Sequence, residues 1–505
     1  MLARINTITF NGLETLPVDL QVQISSGMPN FTIVGLPDKA IGESKERVRS
    51  AIQSLGLSLP AKRITINLSP ADLLKEGSHF DLPVALGILC CMGLLPSEEL
   101  SGYIVMGELG LDGSIVPVNG VLPVAMHTNR CDKGLICPFK QGGEAAWSGL
   151  KDIIAAPDLI SLINHFKGEC KLTPPQPQSP KMPRKHLDMS DVKGQESAKR
   201  ALEIAAAGGH NLLMVGPPGS GKSMLAARMP GILPPMTPEE ALETSMIHSV
   251  AGTLKDGGLC LERPFRDPHH NASTPSLVGG GRKAKPGEIS LAHNGILFLD
   301  ELPEFDRATL EALRQPLENG QISIARVNTH AVYPAKFQLI AAMNPCRCGN
   351  LGIPELACPR APKCALEYQS KISGPLLDRI DIHIEVPAVS PWQLSDERTG
   401  ESSETIRNRV IAARKIQKER FLKQGITNLS TNAELKGQLL EDLTQLENDA
   451  KNLLITFADK NHLSARAYHR TLRLARTIAD LQNNPKVLKI HIAEALSYRH
   501  TVPES

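Results

Sequence analysis

The sequence predicts an α/β protein with several domains. Through the middle of the chain, short apolar runs that read as buried strands alternate with helical segments, which is typical of a parallel sheet. The stretch 172–185 contains five prolines, and it therefore predicts an extended linker rather than a helix. From residue 388 onward, periodic charged and apolar segments predict helices. We accordingly expect four regions, which span residues 1–168, 169–188, 189–387 and 388–505.

Composition narrows the class of protein. The formal net charge is +2, so any surface that binds nucleic acid must be local. Aromatic residues make up 4% of the chain, which argues against base stacking as the main mode of contact. The first ten residues lack the apolar run of a signal peptide, and the longest apolar stretch, 82–95, is too short to cross a bilayer. We therefore expect a cytoplasmic protein without a membrane partner.

The first region is expected to be a compact α/β domain, and the last region a helical one. In the first, we predict strands at residues 5–10, 19–25, 31–34 and 63–68. Helices are predicted there over residues 41–55 and 82–92. In the last region, the helical segments are residues 404–423, 435–457, 465–481 and 487–498.

A phosphate-binding loop lies in the third region. Eight consecutive residues match the pattern G-x-x-x-x-G-K-[ST] at every fixed position: Gly216, Pro217, Pro218, Gly219, Ser220, Gly221, Lys222 and Ser223. A predicted strand over 211–215 precedes the loop, and a predicted helix over 224–229 follows it. Glycines let backbone N–H groups wrap a polyphosphate at a helix N-terminus. The pattern predicts that Lys222 reaches the β and γ phosphates of ATP and that the Ser223 hydroxyl binds Mg²⁺.

Two later apolar runs end in polar residues that suit the same chemistry. Ile296–Leu299 is followed by Asp300 and Glu301, and we expect Asp300 to hold Mg²⁺ through water while Glu301 polarises the attacking water. A strand-end acid can equally cap the next helix. A second run ends at Asn344, which is expected beside the γ phosphate, where it would orient that water.

Two arginines are candidates for contact with the nucleotide's phosphates. Arg379 stands within Leu-Leu-Asp-Arg-Ile-Asp, and it is either part of a local ion pair or a finger that reaches the neighbouring subunit's γ phosphate. Arg466, at the start of the predicted helix 465–481, is a candidate second phosphate sensor. Arg470 and Arg473 are rivals for that role, one and two turns along.

Four cysteines predict a structural zinc site in an insertion that spans residues 346–364. Cys346, Cys348, Cys358 and Cys364 form the spacing C-x-C-x₉-C-x₅-C. Four thiolates suit tetrahedral zinc, and a Pro- and Gly-rich insertion has little core of its own. Free reduced cysteines and an iron–sulfur cluster are the alternatives.

The order of these motifs is similar to that of an AAA+ ATPase. The segments Arg263–Ser273 and Gly279–Gly295 resemble the signature of the magnesium-chelatase-like branch, specifically the competence-associated ComM or YifB family. The resemblance covers nearly the whole chain. It implies an AAA+ core with a helical lid, and an N-terminal domain like that of Lon protease (ribosomal S5 domain 2-like). It also implies a hexameric, ATP-driven motor on single-stranded or branched DNA, with branch migration in natural transformation as the family's proposed role.

Two insertions are expected to line a central pore, as they do in the related branch. Lys222 and Asp300 are far apart for adjacent strands, and residues 279–285 lie between them. Alternation over residues 321–332 predicts a β-hairpin. Arg282, Lys283, Lys285 and Arg326 are the candidates for sequence-independent contact with DNA phosphates. Taken singly, each of them also fits a solvated loop charge.

The Lon-like domain is expected to lack proteolytic activity. Residues 75–81 fall where Lon carries its catalytic serine, and Ser78 is one place from the expected position. Residues 118–124, where the lysine of the dyad is expected, contain none. A Ser–Lys dyad needs both members, unless Lys75 and Ser78 pair by another geometry.

Two alternatives to a DNA motor remain. One is an ATP-driven remodeller of a protein or metal-chelatase partner, since one nucleotide engine serves many substrates. The other is an ATP-dependent protease, against which the missing lysine counts.

Overall fold

The computed structural model describes residues 2–178, 186–254, 258–281, 284–326, 329–349, 351, 358, 360–390 and 400–499, with the backbone alone at 326 and 329. The strands, in chain order, are β1 Leu2–Asn11, β2 Glu14–Ser25, β3 Asn30–Val34, β4 Arg63–Ser69, β5 Tyr103–Val105, β6 Glu108–Leu109, β7 Ile115–Val116, β8 Gly134–Pro138, β9 Ile153–Ala156, β10 Leu212–Val215, β11 Phe265–Arg266, β12 Gly279–Gly280, β13 Lys285–Pro286, β14 Ile296–Leu299, β15 Gln321–Arg326, β16 Thr329–Pro334, β17 Gln338–Met343 and β18 Ile382–Glu385.

The α-helices follow the same numbering: α1 Lys39–Ser54, α2 Asp81–Cys91, α3 Ser97–Leu100, α4 Val121–Arg130, α5 Gly142–Ala146, α6 Leu159–Lys167, α7 Glu196–Gly208, α8 Lys222–Ala226, α9 Met229–Ile232, α10 Pro238–Ala251, α11 Thr274–Val278, α12 Glu288–Leu291, α13 Arg307–Ala312, α14 Arg314–Asn319, α15 Lys363–Gln369, α16 Gly374–Leu377, α17 Ser403–Lys423, α18 Gly437–Thr444, α19 Asn448–Lys460, α20 Ala465–Leu481 and α21 Lys489–Ser497. No helix in the described ranges is long and apolar enough to cross a membrane.

The N-terminal region is built on a seven-stranded mixed sheet with the order β3-β4-β2-β1-β5-β8-β9. β1 and β2 form a long antiparallel hairpin whose turn is Gly12 and Leu13. The strands predicted at 5–10, 19–25, 31–34 and 63–68 all lie within observed strands, which confirms them. Because α2 is buried along nearly its whole length, it forms the centre of this region's core.

The central region carries a five-stranded parallel sheet with the order β11-β14-β17-β10-β18. β10, β14 and β17 are almost wholly buried, because both faces of a parallel sheet are covered. Parallel neighbours end at one edge of the sheet, so whatever follows β10, β14 and β17 converges there. The expected parallel sheet is confirmed.

The C-terminal region is helical, as expected, but one predicted helix is divided. Residues 435–457 form α18 and α19 rather than one helix, with Gln445 between them in a left-handed conformation, φ 47°. Tertiary contacts explain the break. Val487 and Glu447 complete backbone hydrogen bonds across the gap, and the buried Arg476 donates to the carbonyl of Thr444. The helix predicted over 224–229 likewise ends at Ala226, and a new turn starts at Met229 with Pro230 in it.

The N-terminal region packs on the central region at two places. At the first, α4 packs on α10; Gly120 N donates to the Ser249 carbonyl over 3.1 Å, and Ser249 Oγ donates to the buried Glu144 over 2.5 Å. At the second, the Gly12–Leu13 turn packs against β16. A Cβ placed on Gly12 would lie 3.2 Å from the Val332 carbonyl, so the turn and β16 are in tight contact there.

Candidate nucleotide-binding site

The loop at residues 216–223 connects β10 to α8 at the carboxyl edge of the sheet. Gly219 and Gly221 adopt left-handed backbone conformations, with φ of 76° and 91°, which glycine tolerates without steric cost. Gly216 packs against the end of β18, where an added Cβ would lie 2.1 Å from the Val386 carbonyl. Gly219 and Gly221 therefore allow the loop's backbone conformation, and Gly216 allows the loop to lie against the sheet.

Lys222 is folded back into its own loop. Its Nζ donates to the carbonyls of Gly216 and Pro217, each over 2.8 Å, and to Asn344 Oδ1 over 3.3 Å. Burial lowers the pKa of Lys222, and the nearby carboxylates of Asp300 and Glu301 oppose that shift. The ammonium is thus held by neutral carbonyl and amide oxygens, which a phosphate's charged oxygens can replace with stronger hydrogen bonds.

The hydroxyl of Ser223 and the carboxylate of Asp300 meet across the edge of the sheet. Ser223 Oγ donates to Asp300 Oδ2 over 2.6 Å. Glu301, in a left-handed conformation with φ 51°, donates its backbone N–H to the other oxygen of Asp300 over 2.9 Å. This turn aims the Glu301 side chain out toward solvent, where it is 51% exposed. One carboxylate therefore faces the loop, and the next faces open space beside it.

A histidine that follows β11 reaches the same carboxylate. His270 Nδ1 lies 3.3 Å from Glu301 Oε2, because β11 pairs in parallel with β14 and the two strands end together. Asp267, which directly follows β11, lies near Asp300. Burial and the charge of Asp300 raise the pKa of Asp267. The sequence analysis did not assign these two residues to the site. The signal that could have found them is a strand of only two residues, Phe265–Arg266.

Gln195 ties the loop to the sheet from the other side. Its Nε2 donates to the Ser220 carbonyl over 3.2 Å and to the Pro387 carbonyl over 2.6 Å. Gln195 itself has φ 60°, a strained conformation for a residue other than glycine. Gln195 therefore holds the loop against the residues that follow β18.

Arg379 lies at the opposite edge of the sheet from the loop. It immediately precedes β18, and its carbonyl accepts from Asn211 Nδ2, at the start of β10, over 2.9 Å. β10 itself separates the two edges by about 13 Å, at ~3.3 Å for each of its residues. Arg379 is thus not brought together with Lys222, Ser223 or Asp300 of the same chain.

Arg379 and Arg466 line one cleft between the sheet and the C-terminal helices, in which basic residues outnumber acidic ones. The cleft has a volume of ≈ 690 Å³, and its arginines are Arg263, Arg379, Arg414, Arg466, Arg470 and Arg473. Arg379 forms an ion pair with Glu318 and donates to the Pro375 carbonyl over 2.5 Å. Within the described part of the chain, its buried Nε has no hydrogen-bond partner. In a single chain, both terminal nitrogens of Arg379 therefore have partners, and its Nε does not.

The two rivals of Arg466 pair with acids that precede β18, and their Nε atoms, like that of Arg379, have no hydrogen-bond partner among the described residues. Arg470 donates to the Ile380 carbonyl over 2.9 Å and pairs with Asp378 over 3.2 Å. Arg473 lies 3.5 Å from the buried Asp381, and that cationic neighbour helps to lower the pKa of Asp381 against the raising effect of burial. Both arginines therefore tie α20 to the segment that holds Arg379.

The four cysteines of the insertion lie together. The sulfur atoms of Cys346, Cys348, Cys358 and Cys364 all lie within 4.8 Å of one another, and those of Cys346 and Cys348 are 3.1 Å apart. A tetrahedral zinc site with Zn–S bonds of 2.3 Å has sulfur separations of about 3.8 Å. The donor set therefore fits a zinc ion after small side-chain movements. The cluster begins two residues after Asn344, at the nucleotide loop.

The insertions expected to line a pore form two β-hairpins that pack together. β15 pairs with β16 over six residue pairs, which confirms the hairpin predicted over 321–332. The shorter β12–β13 hairpin lies against it, since Tyr333 Oη donates to the Ala284 carbonyl over 2.9 Å. Lys285 is exposed. Arg282, Lys283 and the side chain of Arg326 lie outside the described residues.

The N-terminal region does not pair Ser78 with Lys75. Ser78 Oγ donates to Glu108, whereas the buried Lys75 donates to the Pro70 carbonyl. Burial lowers the pKa of Lys75, but its amine has no path to the Ser78 hydroxyl in this arrangement. The alternative Ser–Lys geometry is therefore not the one that the structure adopts.

Comparison with known proteins identifies the family. Three family models match: "Magnesium chelatase, subunit ChlI" over residues 188–394, "Subunit ChlI of Mg-chelatase" over 20–141, and "Magnesium chelatase, subunit ChlI C-terminal" over 400–499. The chain is 44% identical to the YifB protein of Salmonella typhimurium, covering 99% of this chain and 97% of that one. It is also 44% identical to the competence protein ComM of Haemophilus influenzae, covering 97% and 96%, and 42% identical to YifB of Escherichia coli, covering 99% and 97%. The chain therefore belongs to the ComM/YifB family of magnesium-chelatase-like proteins.

Proposed function

We propose that this protein is an ATPase whose active site forms between two copies of the chain. The observation that carries the proposal is the convergence of Lys222, Ser223, Asp300, Glu301 and Asn344 at one edge of the sheet. Lys222 would bind the β and γ phosphates in place of its present carbonyl partners. The Ser223 hydroxyl and the Asp300 carboxylate are oxygen ligands of the kind that Mg²⁺ prefers. Bound Mg²⁺ would neutralise charge on the phosphates.

Hydrolysis requires a water that is activated and aligned with the γ phosphate. Glu301 is exposed beside the loop, and its carboxylate would accept the proton of the attacking water. Asn344, in contact with Lys222, would orient that water from the other side. The loop glycines present backbone N–H groups to the phosphates, so the negative charge that moves in the reaction stays hydrogen-bonded.

The site is incomplete within one chain because no arginine of the basic cleft reaches the loop. Arg379 and Arg466 lie together at the far edge of the sheet, and an arginine that stabilises the transferring phosphoryl group can come from a neighbouring subunit. A head-to-tail contact between copies would bring that edge against the next chain's loop, and such contacts close into rings. We propose a ring of six, as the family resemblance implies.

We propose single-stranded or branched DNA as the substrate of the motor. Support comes from the paired hairpins β12–β13 and β15–β16, where Lys285 is exposed. In the sequence, Arg282 and Lys283 fall between β12 and β13, and Arg326 is the last residue of β15. A relative with 44% identity is named a competence protein, which is consistent with branch migration during recombination. Backbone phosphate contacts by lysine and arginine carry no sequence preference.

The test measures ATP hydrolysis by the purified protein with no DNA, with single-stranded DNA and with a synthetic four-way junction. We expect DNA to raise the rate and the junction to be converted to duplex products only when ATP is present. Lys222→Ala serves as the control that lacks the nucleotide loop's cation. Equal rates with and without DNA at low salt would contradict the DNA motor and favour a remodeller of a protein partner.

We also propose that the four cysteines hold a structural zinc ion. The buried apolar residues at the module are only Cys346, Cys358 and Ala365, with Leu351 and Cys364 packed beside them, among the described residues. The described part of this core is small, and metal binding would supply folding free energy to the insertion. Metal analysis of the purified protein should find about one zinc per chain.

A further inference from the structure

The cysteine cluster is in direct contact with the nucleotide loop. Gly349, the residue after Cys348, has φ 80° and lies against Pro218. A Cβ built on Gly349 would lie 2.5 Å from Pro218 Cδ and 2.7 Å from its Cγ. The hydrogen of a glycine is therefore the largest group that fits between the cysteine turn and the loop.

The turn that carries Gly349 is short and closed. Gly349 N donates to the Cys346 carbonyl over 3.0 Å, and both cysteines of the turn point to the shared cluster. Two residues before Cys346, Asn344 contacts Lys222 Nζ over 3.3 Å. The segment 344–349 thus touches the loop at both ends, once at its lysine and once at its tip.

The far side of the cluster is tied to the same edge of the sheet. Cys364 lies in α15, and Gln369 at the end of that helix donates to the Pro345 carbonyl over 3.0 Å. Tyr368, in the same helix, is buried near this edge: burial raises its pKa to about 12, and the charges of Glu304, Glu301 and Asp300 raise it too. Closing the four sulfurs on a metal would therefore draw α15 and the 344–349 segment together around the loop.

We propose that metal occupancy of the four-cysteine cluster sets the affinity of the loop for nucleotide. With the metal bound, the turn is fixed and Gly349 braces Pro218, so the loop is held in its phosphate-binding shape. Without the metal, the small core of the module does not fix the turn, and ordering the loop has to be driven by nucleotide binding itself. The inference rests on the proposed ATP-binding role of the loop.

The first experiment measures the dissociation constant of a fluorescent ADP analogue in the presence of Mg²⁺. Three preparations are compared: zinc-loaded protein, protein stripped with a zinc-selective chelator that is then removed, and stripped protein resupplied with zinc. We expect the affinity to fall at least about tenfold on stripping and to return with zinc. Affinities within about twofold of one another would overturn the inference.

A substitution separates the contact from the metal. Gly349→Ala should keep about one zinc per chain yet weaken nucleotide binding at least about tenfold, because its Cβ meets Pro218. The matched control is Gly425→Ala, where φ is 73° but no atom lies within 4 Å of the added Cβ. If Gly349→Ala retains zinc and binds nucleotide as the control does, the inference is wrong.

The two failures are distinguishable. If zinc-loaded protein does not bind nucleotide at all, the proposed ATPase function fails. If it binds nucleotide equally well with and without zinc, only the coupling fails. Circular dichroism of the stripped protein shows whether the rest of the fold persists. If the fold is lost on stripping, the Gly349→Ala variant tests the coupling in its place.

Discussion

Lys222 Nζ lies 3.3 Å from Asn344 Oδ1, although 122 positions separate the two residues in the chain. The contact exists because β10 and β17 are parallel neighbours, so the loop that follows β10 and the residue that follows β17 emerge at the same edge of the sheet. The same reasoning brings Asp300 to that edge from β14. The candidate site is therefore a consequence of strand order.

Replacing Lys222 by alanine should abolish nucleotide binding. The substitution removes the cation that would hydrogen-bond the phosphates, and each such bond to a charged group contributes about 1.5–3 kcal/mol. We expect the affinity for ATP to fall at least about 100-fold in a fluorescence titration. Asn344→Ala is the comparison, since it should slow turnover with a much smaller effect on affinity. If Lys222→Ala still bound ATP with native affinity, the loop would not be the nucleotide-binding site.

Glu301→Gln should trap ATP in the assembled protein. Glutamine keeps the size of the side chain but cannot accept the water's proton, so we expect kcat to fall about 100-fold or more with binding retained. Rapid filtration of radiolabelled ATP measures how much nucleotide the variant retains, and light scattering measures its assembly state. Because His270 contacts this carboxylate, a His270→Ala control shows whether any loss depends on the position of Glu301 rather than on its charge. Unchanged turnover in Glu301→Gln would exclude it as the base.

The turn at Gly12 and Leu13 should support the hairpins that we propose for DNA contact. Leu13 is half-buried against the cluster that contains Ile324, Ala331 and Tyr333. Leu13→Ala removes about 1 kcal/mol of apolar contact, so DNA stimulation of ATP hydrolysis should drop while basal hydrolysis persists. Leu111→Ala is the matched control, because Leu111 belongs to the same domain and is 63% exposed. Equal stimulation in both variants would show that the turn does not support the hairpins.

Stability should depend on pH through the interface between Glu144 and Ser249. Burial raises the pKa of Glu144 above its ordinary value of 4.5, more than its hydrogen bonds lower it. The folded state therefore binds this proton more tightly, and the resulting stability is full below pH 4.5 and lost as pH rises through the raised pKa. Relative to Glu144→Gln, the native protein should gain in Tm as pH falls from neutral toward 4.5. A difference in Tm that does not change with pH would contradict this.

The sequence predicts the strands and the helix around the loop because local pattern decides them. A glycine-rich loop between a strand and a helix, and apolar strands that end in Asp300 and Asn344, need only the rule that parallel strands share an edge. The hairpin at 321–332 follows from alternation in the same way. Each of these elements depends on residues that are close together in the chain, whereas the contacts among Lys222, Asp300 and Asn344 depend on strand order.

Features decided by tertiary contact were not predictable in this way. His270 reaches Glu301 only because a two-residue strand, β11, pairs with β14. The helix predicted over 435–457 is broken at Gln445, because Val487 and Arg476 satisfy the backbone groups that the break exposes. That Arg379 and Arg466 share one cleft likewise depends on how the C-terminal helices dock on the sheet, which no local pattern specifies.

Arg379→Ala should block turnover while leaving ATP binding nearly intact. Because Arg379 lies at the edge of the sheet opposite its own loop, its loss should not disturb Lys222. A finger of this kind contributes about 10³-fold or more to kcat. Glu318→Gln is the control, since it releases the ion pair that holds Arg379 but keeps the arginine. Loss of ATP binding in Arg379→Ala would show that the residue is structural.

The most direct test of a site shared between subunits is to mix two inactive variants. Lys222→Ala cannot bind nucleotide, and Arg379→Ala lacks the finger, so each alone should be inactive. In mixed rings, an intact loop from one variant meets an intact arginine from the other at roughly a quarter of the interfaces. We predict that ATP hydrolysis reappears on mixing and reaches at most about that fraction of the native rate. A mixture as inactive as its components, with mixed assembly verified, would contradict the shared site.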